Sequence, residues 1–314
     1  MPTMKMSVKL CEWIRISNFS EETAVSLGNY AMALKLMYIT NRPEVAVIAQ
    51  DAGVDRIFVD MEYIGKDQRQ GGMNTAQNHH TLEDVERIRE VVDRAELMVR
   101  VNPIHEKSES SSSSEEEIEA VLQCGAEVIM LPYFTTVQEI RRFIDIVDHR
   151  AKVFPLLETP EAVECMDEIL RMEGIDEIHF GLNDLGIGYG KQFLFELLAD
   201  GTVEKLCAKA KVAGIPYGFG GVARPGHGLL PAEKIIRDHY YYGSSRVILS
   251  RAFCNANIVT DTDQIAETFR NGIKAIREVE QECMELLSCS DKGKRFFEEN
   301  HREVIRVVDS ICGR

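Results

Sequence analysis

Residues 126–182 read AEVIMLPYFTTVQEIRRFIDIVDHRAKVFPLLETPEAVECMDEILRMEGIDEIHFGL, and this stretch decides the fold. Three short apolar runs (126–133, 151–158 and 175–182) alternate with two runs, 137–149 and 160–172, whose apolar residues recur at helical spacing. Strands that alternate with helices predict a parallel sheet, because a crossover helix is what returns the chain to the same edge. The punctuation agrees. Thr136 and Glu139 are spaced as a capping box, and Thr159-Pro160 sets a cap residue before a first-turn proline. Gly125 and Gly174 stand where helices should end.

Working outward, the same alternation continues in both directions. Strand-like runs at 34–40, 54–62 and 96–103 precede helical runs at 43–52, 82–95 and 115–124. A long helix is expected over 193–213, then a strand at 215–222 with a helix at 231–242, and a strand at 244–253 with a helix at 262–287. Gly53, Gly214 and Gly243 repeat the helix-ending signal. Eight units over about 250 residues predict an α/β fold of the (β/α)8 TIM-barrel type, spanning 34–287. A doubly wound open sheet is the alternative, but no GxGxxG follows the first strand. Residues 1–33, which hold Trp13, form an N-terminal extension that packs across the barrel floor or an interface. Residues 288–314, with FFEENHREVIRVVDSI, form an extra C-terminal helix whose apolar stripe needs a partner, its own barrel or a neighbouring subunit. His105 to Glu117, HEKSESSSSSEEE, lacks an apolar anchor and reads as a disordered surface excursion.

Composition narrows the function. Among 314 residues acids outnumber bases by 51 to 36, a formal charge of −15, which repels phosphate backbones and anionic lipid. Nucleic acid and membrane are therefore excluded as expected partners. The eight cysteines, at 11, 124, 165, 207, 254, 283, 289 and 312, form no CxxC pair and read as reduced thiols. With no secretory pattern at the amino terminus, the expected location is cytoplasmic.

Chemistry on such a barrel belongs at the carboxyl ends of its strands. On the second strand Phe58, Asp60 and Glu62 share one face; on the third, Met98, Arg100 and Asn102 do. The opposite faces are aliphatic and suit helix packing, so Asp60, Glu62 and Arg100 are expected to face the barrel axis. Glu158 ends the fifth strand and Asp184 follows the sixth in GLNDLGIGYG. Those four carboxylates and one guanidinium leave a charge of −3 in a confined space, and a divalent metal is the simplest compensation. Neighbouring strands lie about 4.8 Å apart, so Glu158 and Asp184 can share an ion of the Mg²⁺ or Mn²⁺ type. The competing reading is that either acid merely caps a helix.

The segments FVDMEY (58–63), VRVNP (99–103), LLETPEAVECMDEIL (156–170) and IDEIHFGLNDLGIGYG (175–190) resemble the HpcH/HpaI aldolase and citrate lyase family, over about residues 34–255. The resemblance implies a class II, metal-dependent pyruvate aldolase in the phosphoenolpyruvate/pyruvate barrel superfamily. It makes Glu158 and Asp184 the ligands of Mg²⁺ or Mn²⁺, with Co²⁺ possible. Arg100 then holds the pyruvyl oxygen, Glu62 a metal-linked water, and Asp60 completes the catalytic group; Gly181 and Asn183 line the keto-acid site. It further implies a 2-keto acid and an aldehyde as partners, a C-terminal helix exchanged between subunits, and a homo-oligomer, hexameric or another even assembly. The sequence departs from the family at Tyr63, where the aldolases carry a histidine for acid/base work; Lys66 loosely matches a lysine of the lyase branch. His79 and His80 are the candidate replacements, with His179 on the sixth strand. No lysine stands clearly alone at an inward-facing strand end, which speaks against Schiff-base chemistry. GFGGVARPGHG (218–228) is either a phosphate- or carboxylate-admitting loop or a tight turn, with Arg224 and His227 as candidates for the distal end of a substrate. Lys191 is expected in solvent. The alternatives to an aldolase are a citryl- or malyl-CoA-type thioester lyase and a non-catalytic 2-keto-acid-binding scaffold.

Overall fold

The computed structural model describes residues 33–66, 80–109 and 111–314. Eight strands, β1 (Lys35–Ile39), β2 (Arg56–Asp60), β3 (Glu96–Arg100), β4 (Val128–Leu131), β5 (Lys152–Leu157), β6 (Ile178–Phe180), β7 (Tyr217–Val222) and β8 (Arg246–Leu249), pair in parallel and in sequence order into a closed barrel. The helices between them are α1 (Pro43–Asp51), α2 (Leu82–Arg89), α3 (Ser114–Gln123), α4 (Val137–Val147), α5 (Pro160–Glu164) and α6 (Met166–Ile169). After β6 come α7 (Leu182–Gly188), α8 (Glu196–Ala199) and α9 (Thr202–Ala213); α10 (Ala232–Tyr242) follows β7. Beyond β8 lie α11 (Thr262–Leu287) and α12 (Ser290–Ile311). No helix among the described residues is long and apolar enough to cross a membrane.

The expected punctuation is present. Thr136 and Glu139 close a capping box on α4, and Thr159 accepts from the Ala162 amide at the start of α5. Gly53, Gly125, Gly174, Gly214 and Gly243 all take positive φ. Strand faces divide as the period of two demands. Met37, Phe58, Met98, Met130, Phe154 and Leu156 fill the barrel interior, while Ile57, Val59, Leu97 and Val99 join the larger core beneath the helices.

Ion pairs seal the amino-terminal end of the barrel. Arg56 is fully buried, bonds Glu177 through both terminal nitrogens (2.9 and 3.1 Å) and reaches Glu96 at 2.6 Å. Lys35, Lys152 and Arg246 complete this floor around the same two carboxylates.

Three expectations are corrected. The run 105–117 is not a disordered excursion in its described part: Ser113 caps α3 with Glu116 as its capping-box partner, His105 Nε2 bonds the Ser112 carbonyl, and the His105 amide donates to Ser114 Oγ at 2.8 Å. Serine and glutamate at that spacing satisfy helix-end amides, which the compositional reading overlooked. The long helix at 193–213 is broken in two, because Gly201 takes φ +81° between α8 and α9. The glycine-rich segment is not a loop from its start, since Gly218, Gly220 and Gly221 lie within β7. A bulge displaces the β7–β8 register between Gly218 and Gly221, and a Cβ at Gly218 would collide with the Arg246 carbonyl. The stripe of α12, expected against its own barrel or a neighbouring subunit, packs on its own chain. Phe297, Val304 and Val308 are buried, and Asn300 and His301 bond the buried Asp238 of α10 at 2.8 and 2.9 Å. Trp13 and the rest of 1–32, as well as His79, lie outside the described residues.

Candidate active site

The carboxyl ends of the strands surround a cavity of about 420 Å³ lined by Lys66, Arg100, Glu158, Asp184, Gly181 and Asn183, among others. Parallel pairing sets Asp60 of β2 directly beside Arg100 of β3. Asp60, with no exposed surface, accepts from Arg100 Nε at 2.7 Å and from Nη2 at 2.8 Å, a two-pronged pair of the kind only arginine makes. Lys66 Nζ donates to the other side of Asp60 at 3.0 Å and lies 3.5 Å from Glu62 Oε2; Arg100 Nε lies 3.3 Å from the same Glu62 oxygen. Burial alone would raise the Asp60 carboxyl, but Arg100 and Lys66 outweigh it and hold the group well below the usual carboxylate range. Asp60 is thus a fixed anion that orients two cations.

Glu158 is held from both sides. Its Oε1 accepts from the Tyr133 amide at 3.1 Å, and a Cβ on Gly181 would lie 2.7 Å from both its Cβ and Oε2. Gly181 therefore makes room for this carboxylate. Tyr133 takes φ +46°, a left-handed conformation costly for a side chain with a Cβ, and its amide is aimed at Glu158 in consequence. The next residue, Thr159, donates to the Phe134 carbonyl at 2.8 Å, so the ends of β4 and β5 are locked together. Because Thr159 caps α5, Glu158 has no capping duty. Asp184 sits in the first turn of α7, whose N-cap Gly181 has no side chain to offer. Both acids line the one cavity.

The charge balance changes once Lys66 is counted. Asp60, Glu62 and Glu158 are each at most 3% exposed; with Asp184 they gather four carboxylates around Arg100 and Lys66, and among the described residues Arg251 lines the same cavity. A divalent cation suits such a gathering of buried acids. Among the described residues no group of three or more histidine, cysteine or acidic residues forms a closed cage. Two carboxylates with the remaining positions left to water and a chelating ligand fit Mg²⁺, which keeps several waters and dislikes all-protein cages.

The HpcH/HpaI aldolase/citrate lyase family model matches residues 35–223, from β1 through the residue after β7. The chain belongs to that family. Solved structures similar in fold include the HpcH/HpaI aldolase from Desulfitobacterium hafniense, at 18% identity and a TM-score of 0.55, covering 80% of this chain and 96% of that one. Two from Mycobacterium tuberculosis are similar as well. The citrate lyase β subunit complexed with oxaloacetate and magnesium has 17% identity and a TM-score of 0.50, over 77% of this chain and 99% of that one. The protein CitE in complex with magnesium and pyruvate has 16% identity and a TM-score of 0.52, over 78% and 92%. No curated protein sequence matches the chain. Membership in the HpcH/HpaI family makes the protein an enzyme of the lyase type.

Against the pattern of that family, the other candidates fall in different places. Tyr63 is 45% exposed, and burial and then Glu117 raise its phenol further, so it is no base at neutral pH. Its amide and that of Ile64 both donate to Asn102 Oδ1, and Asn102 Nδ2 donates to the buried Glu117, so this clamp shapes the turn after β2. His80 is a clasp: its Nδ1 accepts from the Asp60 amide at 3.0 Å while its own amide donates to the Asp60 carbonyl. Burial lowers its pKa, so it is neutral with the proton on Nε2. His179 lines the cavity, bonds the Gly220 carbonyl through Nε2 and is pushed down to about 4 by burial. Arg224 is not in the lining; its stem packs toward Gly272 of α11. His227 is exposed and Lys191 pairs with Asp200 at 2.7 Å. Ser250 and Arg251, after β8, line the cavity instead. The sequence reading also undervalued Lys66 and missed Tyr133. Four residues past Glu62, Lys66 is reached by a tight turn that no strand period describes.

Proposed function

We propose that the protein is a divalent-metal-dependent carbon–carbon lyase that makes or cleaves a 2-keto acid through a pyruvate enolate, with an aldehyde as second substrate. The observation that carries this reading is the arrangement of the cavity: the Arg100 guanidinium and Lys66 ammonium, both held by Asp60, on one side, and the carboxylates Glu158 and Asp184 lining the same space. Magnesium with pyruvate or oxaloacetate in the two mycobacterial neighbours supports it.

Under this reading Glu158 and Asp184 hold the metal, Mg²⁺ first and Mn²⁺ or Co²⁺ as substitutes. The bound ion supplies Lewis acidity that lowers the energy of negative charge on the keto oxygen. Arg100, aimed by Asp60, faces the same developing charge as a fixed cation. In the synthetic direction a water oriented by Glu62 takes a methyl proton from pyruvate, C3 attacks the aldehyde carbon, and the new alkoxide takes a proton from an ammonium that is reprotonated from that water. Lys66 Nζ, between Asp60 and Glu62, is the group we assign to carry that proton; Glu62 orients water, and Gly181 and Asn183 border the keto acid.

The test is exchange of the pyruvate methyl protons in D2O, with and without Mg²⁺. Metal-dependent exchange that disappears in Glu158→Gln is expected; no exchange while pyruvate binds overturns the reading. A second reading, cleavage of a citryl- or malyl-type thioester, is favoured by the burial of Lys66 in the site. A higher kcat/KM for the thioester than for the free acid would select it. Homo-oligomeric assembly and a cytoplasmic location belong to the same proposal. Light scattering tests the assembly, and a reducing compartment suits the seven free thiols of the described residues.

A further inference from the structure

The cavity is larger than its charged corner. Charged and metal-facing groups come from the ends of β2, β3, β5 and the start of α7. The opposite arc, contributed by β7, β8 and the segments that follow β6 and β7, is built from apolar side chains. Phe193 and Phe195 meet edge to face at 5.5 Å, and Leu182, Leu230, Ile235 and Ile248 continue the wall.

β7 keeps this half open by leaving out side chains. A Cβ on Gly220 would lie 3.0 Å from Leu182 Cδ1 and 3.8 Å from Phe195 Cε1, and one on Gly221 would approach Ser250. Glycine is also required at 220 by its φ of +53°. Among the described residues the polar side chains on this arc are the Ser250 hydroxyl and Arg251, exposed at the rim, with His179 at its edge engaged to the Gly220 carbonyl. The whole, about 420 Å³, falls in the range that takes up drug-sized molecules, beyond what a three-carbon keto acid occupies.

We infer that this arc is the subsite of the second substrate and that it selects an apolar aldehyde, linear or aromatic, over a hydroxylated one. The inference rests on the enolate reading above and names the electrophile class that reading left open. A carbonyl carbon placed beside the keto-acid corner sends its chain along the Phe193–Phe195 wall. There each added methylene is worth about 10–200-fold in kcat/KM, whereas the hydroxyls of a sugar-derived aldehyde find few side chains to bond.

The experiment compares pentanal and benzaldehyde with glyceraldehyde and glycolaldehyde as partners of pyruvate in the presence of Mg²⁺. The expected result is a kcat/KM at least about tenfold higher for the apolar pair, and a severalfold smaller preference in Phe193→Ser. Equal or reversed preference overturns the inference. A readout without turnover accompanies it: saturation-transfer NMR with pentan-1-ol and with glycerol. Contact to pentan-1-ol alone, weakened in Phe193→Ser, supports the subsite; contact to glycerol alone, or to neither, overturns it. Pyruvate methyl exchange on the same preparation separates the two claims. Exchange with the wrong aldehyde preference defeats only the subsite, and absence of exchange defeats the enolate reading and the subsite with it.

Discussion

At the amino-terminal end of the barrel four cations, Lys35, Arg56, Lys152 and Arg246, gather around two carboxylates, Glu96 and Glu177. At the carboxyl end four carboxylates, Asp60, Glu62, Glu158 and Asp184, face two cations, Arg100 and Lys66. Among these named groups the floor is richer in cations and the mouth in acids, and their surroundings differ further. On the floor the excess cations are half in water, with Lys35 at 30% and Lys152 at 42% exposure, so solvent screens them. At the mouth Asp60, Glu62 and Glu158 are almost fully desolvated. A surplus that water neutralises is structural; one that water cannot reach calls for a bound counter-ion. That difference separates a plug from a site on the same barrel.

The largest effect should come from breaking the plug. Arg56→Met leaves Glu177 short of its main partner inside the barrel, and losing one member of a buried pair costs about 3–5 kcal/mol. Urea unfolding should register that loss, while kcat of the folded fraction stays at the wild-type value. A change below about 1 kcal/mol would mean that the floor is no more than a surface-type network. Next in size is Glu158→Gln, which keeps the Tyr133 hydrogen bond but removes a charge. It should lower kcat/KM about 10²–10³-fold and weaken Mg²⁺ binding, measured by calorimetry, with little effect on the urea midpoint. A stability loss with intact Mg²⁺ affinity would put Glu158 with the floor rather than the site.

How much of this contrast could be read in the chain depends on the kind of regularity each part uses. The strand–helix alternation and the glycines that end helices are short-range patterns, and they carried the barrel. Asp60, Arg100 and Glu158 were legible because the period of two fixes which side chains point inward. Lys66 was not, since it lies on a turn whose course is set by the Asn102–Glu117 clamp, two residues far from it in sequence. Tyr133 was invisible for a related reason: its part is played by a backbone amide, which every residue but proline carries. Arg224 looked suitable by type and place, yet the loop after β7 turns its stem toward α11. The floor went unread because Arg56 starts β2, Glu96 starts β3 and Glu177 lies just before β6, and only closure of the barrel brings them together.

Acid should remove stability in two stages, buried histidines of the cavity wall first and the floor second. His179, in the cavity wall, is depressed by burial from 6.5 to about 4, so the unfolded chain binds its proton first. The stability it contributes is whole above pH 6.5 and is lost as pH falls toward 4. His80 is shifted in the same direction. Glu96 of the floor is depressed from 4.5 to about 2, because Arg56 and the two lysines outweigh its partial burial. Its contribution is whole above pH 4.5 and lost toward 2. Melting temperature measured against pH should therefore fall first between 6.5 and 4, and His179→Gln should shrink that first stage, to which His80 and the buried His239 also contribute, while sparing the second. A single fall confined to pH below 4 would overturn that order.

The smallest expected effect is the most discriminating within the mouth itself. Tyr63 occupies the position where the family's aldolases carry histidine, while Lys66, three residues on, is buried against Asp60 and Glu62. A phenol that is half exposed and shifted upward from 10 holds its proton at neutral pH, and its hydroxyl can be removed without leaving a buried partner unpaired. Tyr63→Phe should then change kcat/KM by less than about twofold and leave the pH–rate profile where it was. Lys66→Met, which removes an ammonium from between two buried carboxylates, should lower kcat by at least about 10² if Lys66 carries the proton, within the range a positioned acid or base contributes. It should also flatten one limb of the profile, a change that loss of packing alone would not produce. If Tyr63→Phe instead matched Lys66→Met in both rate and profile, the proton would travel through the phenol, and the exposed rim of the cavity, not its buried corner, would be where the acid/base step occurs.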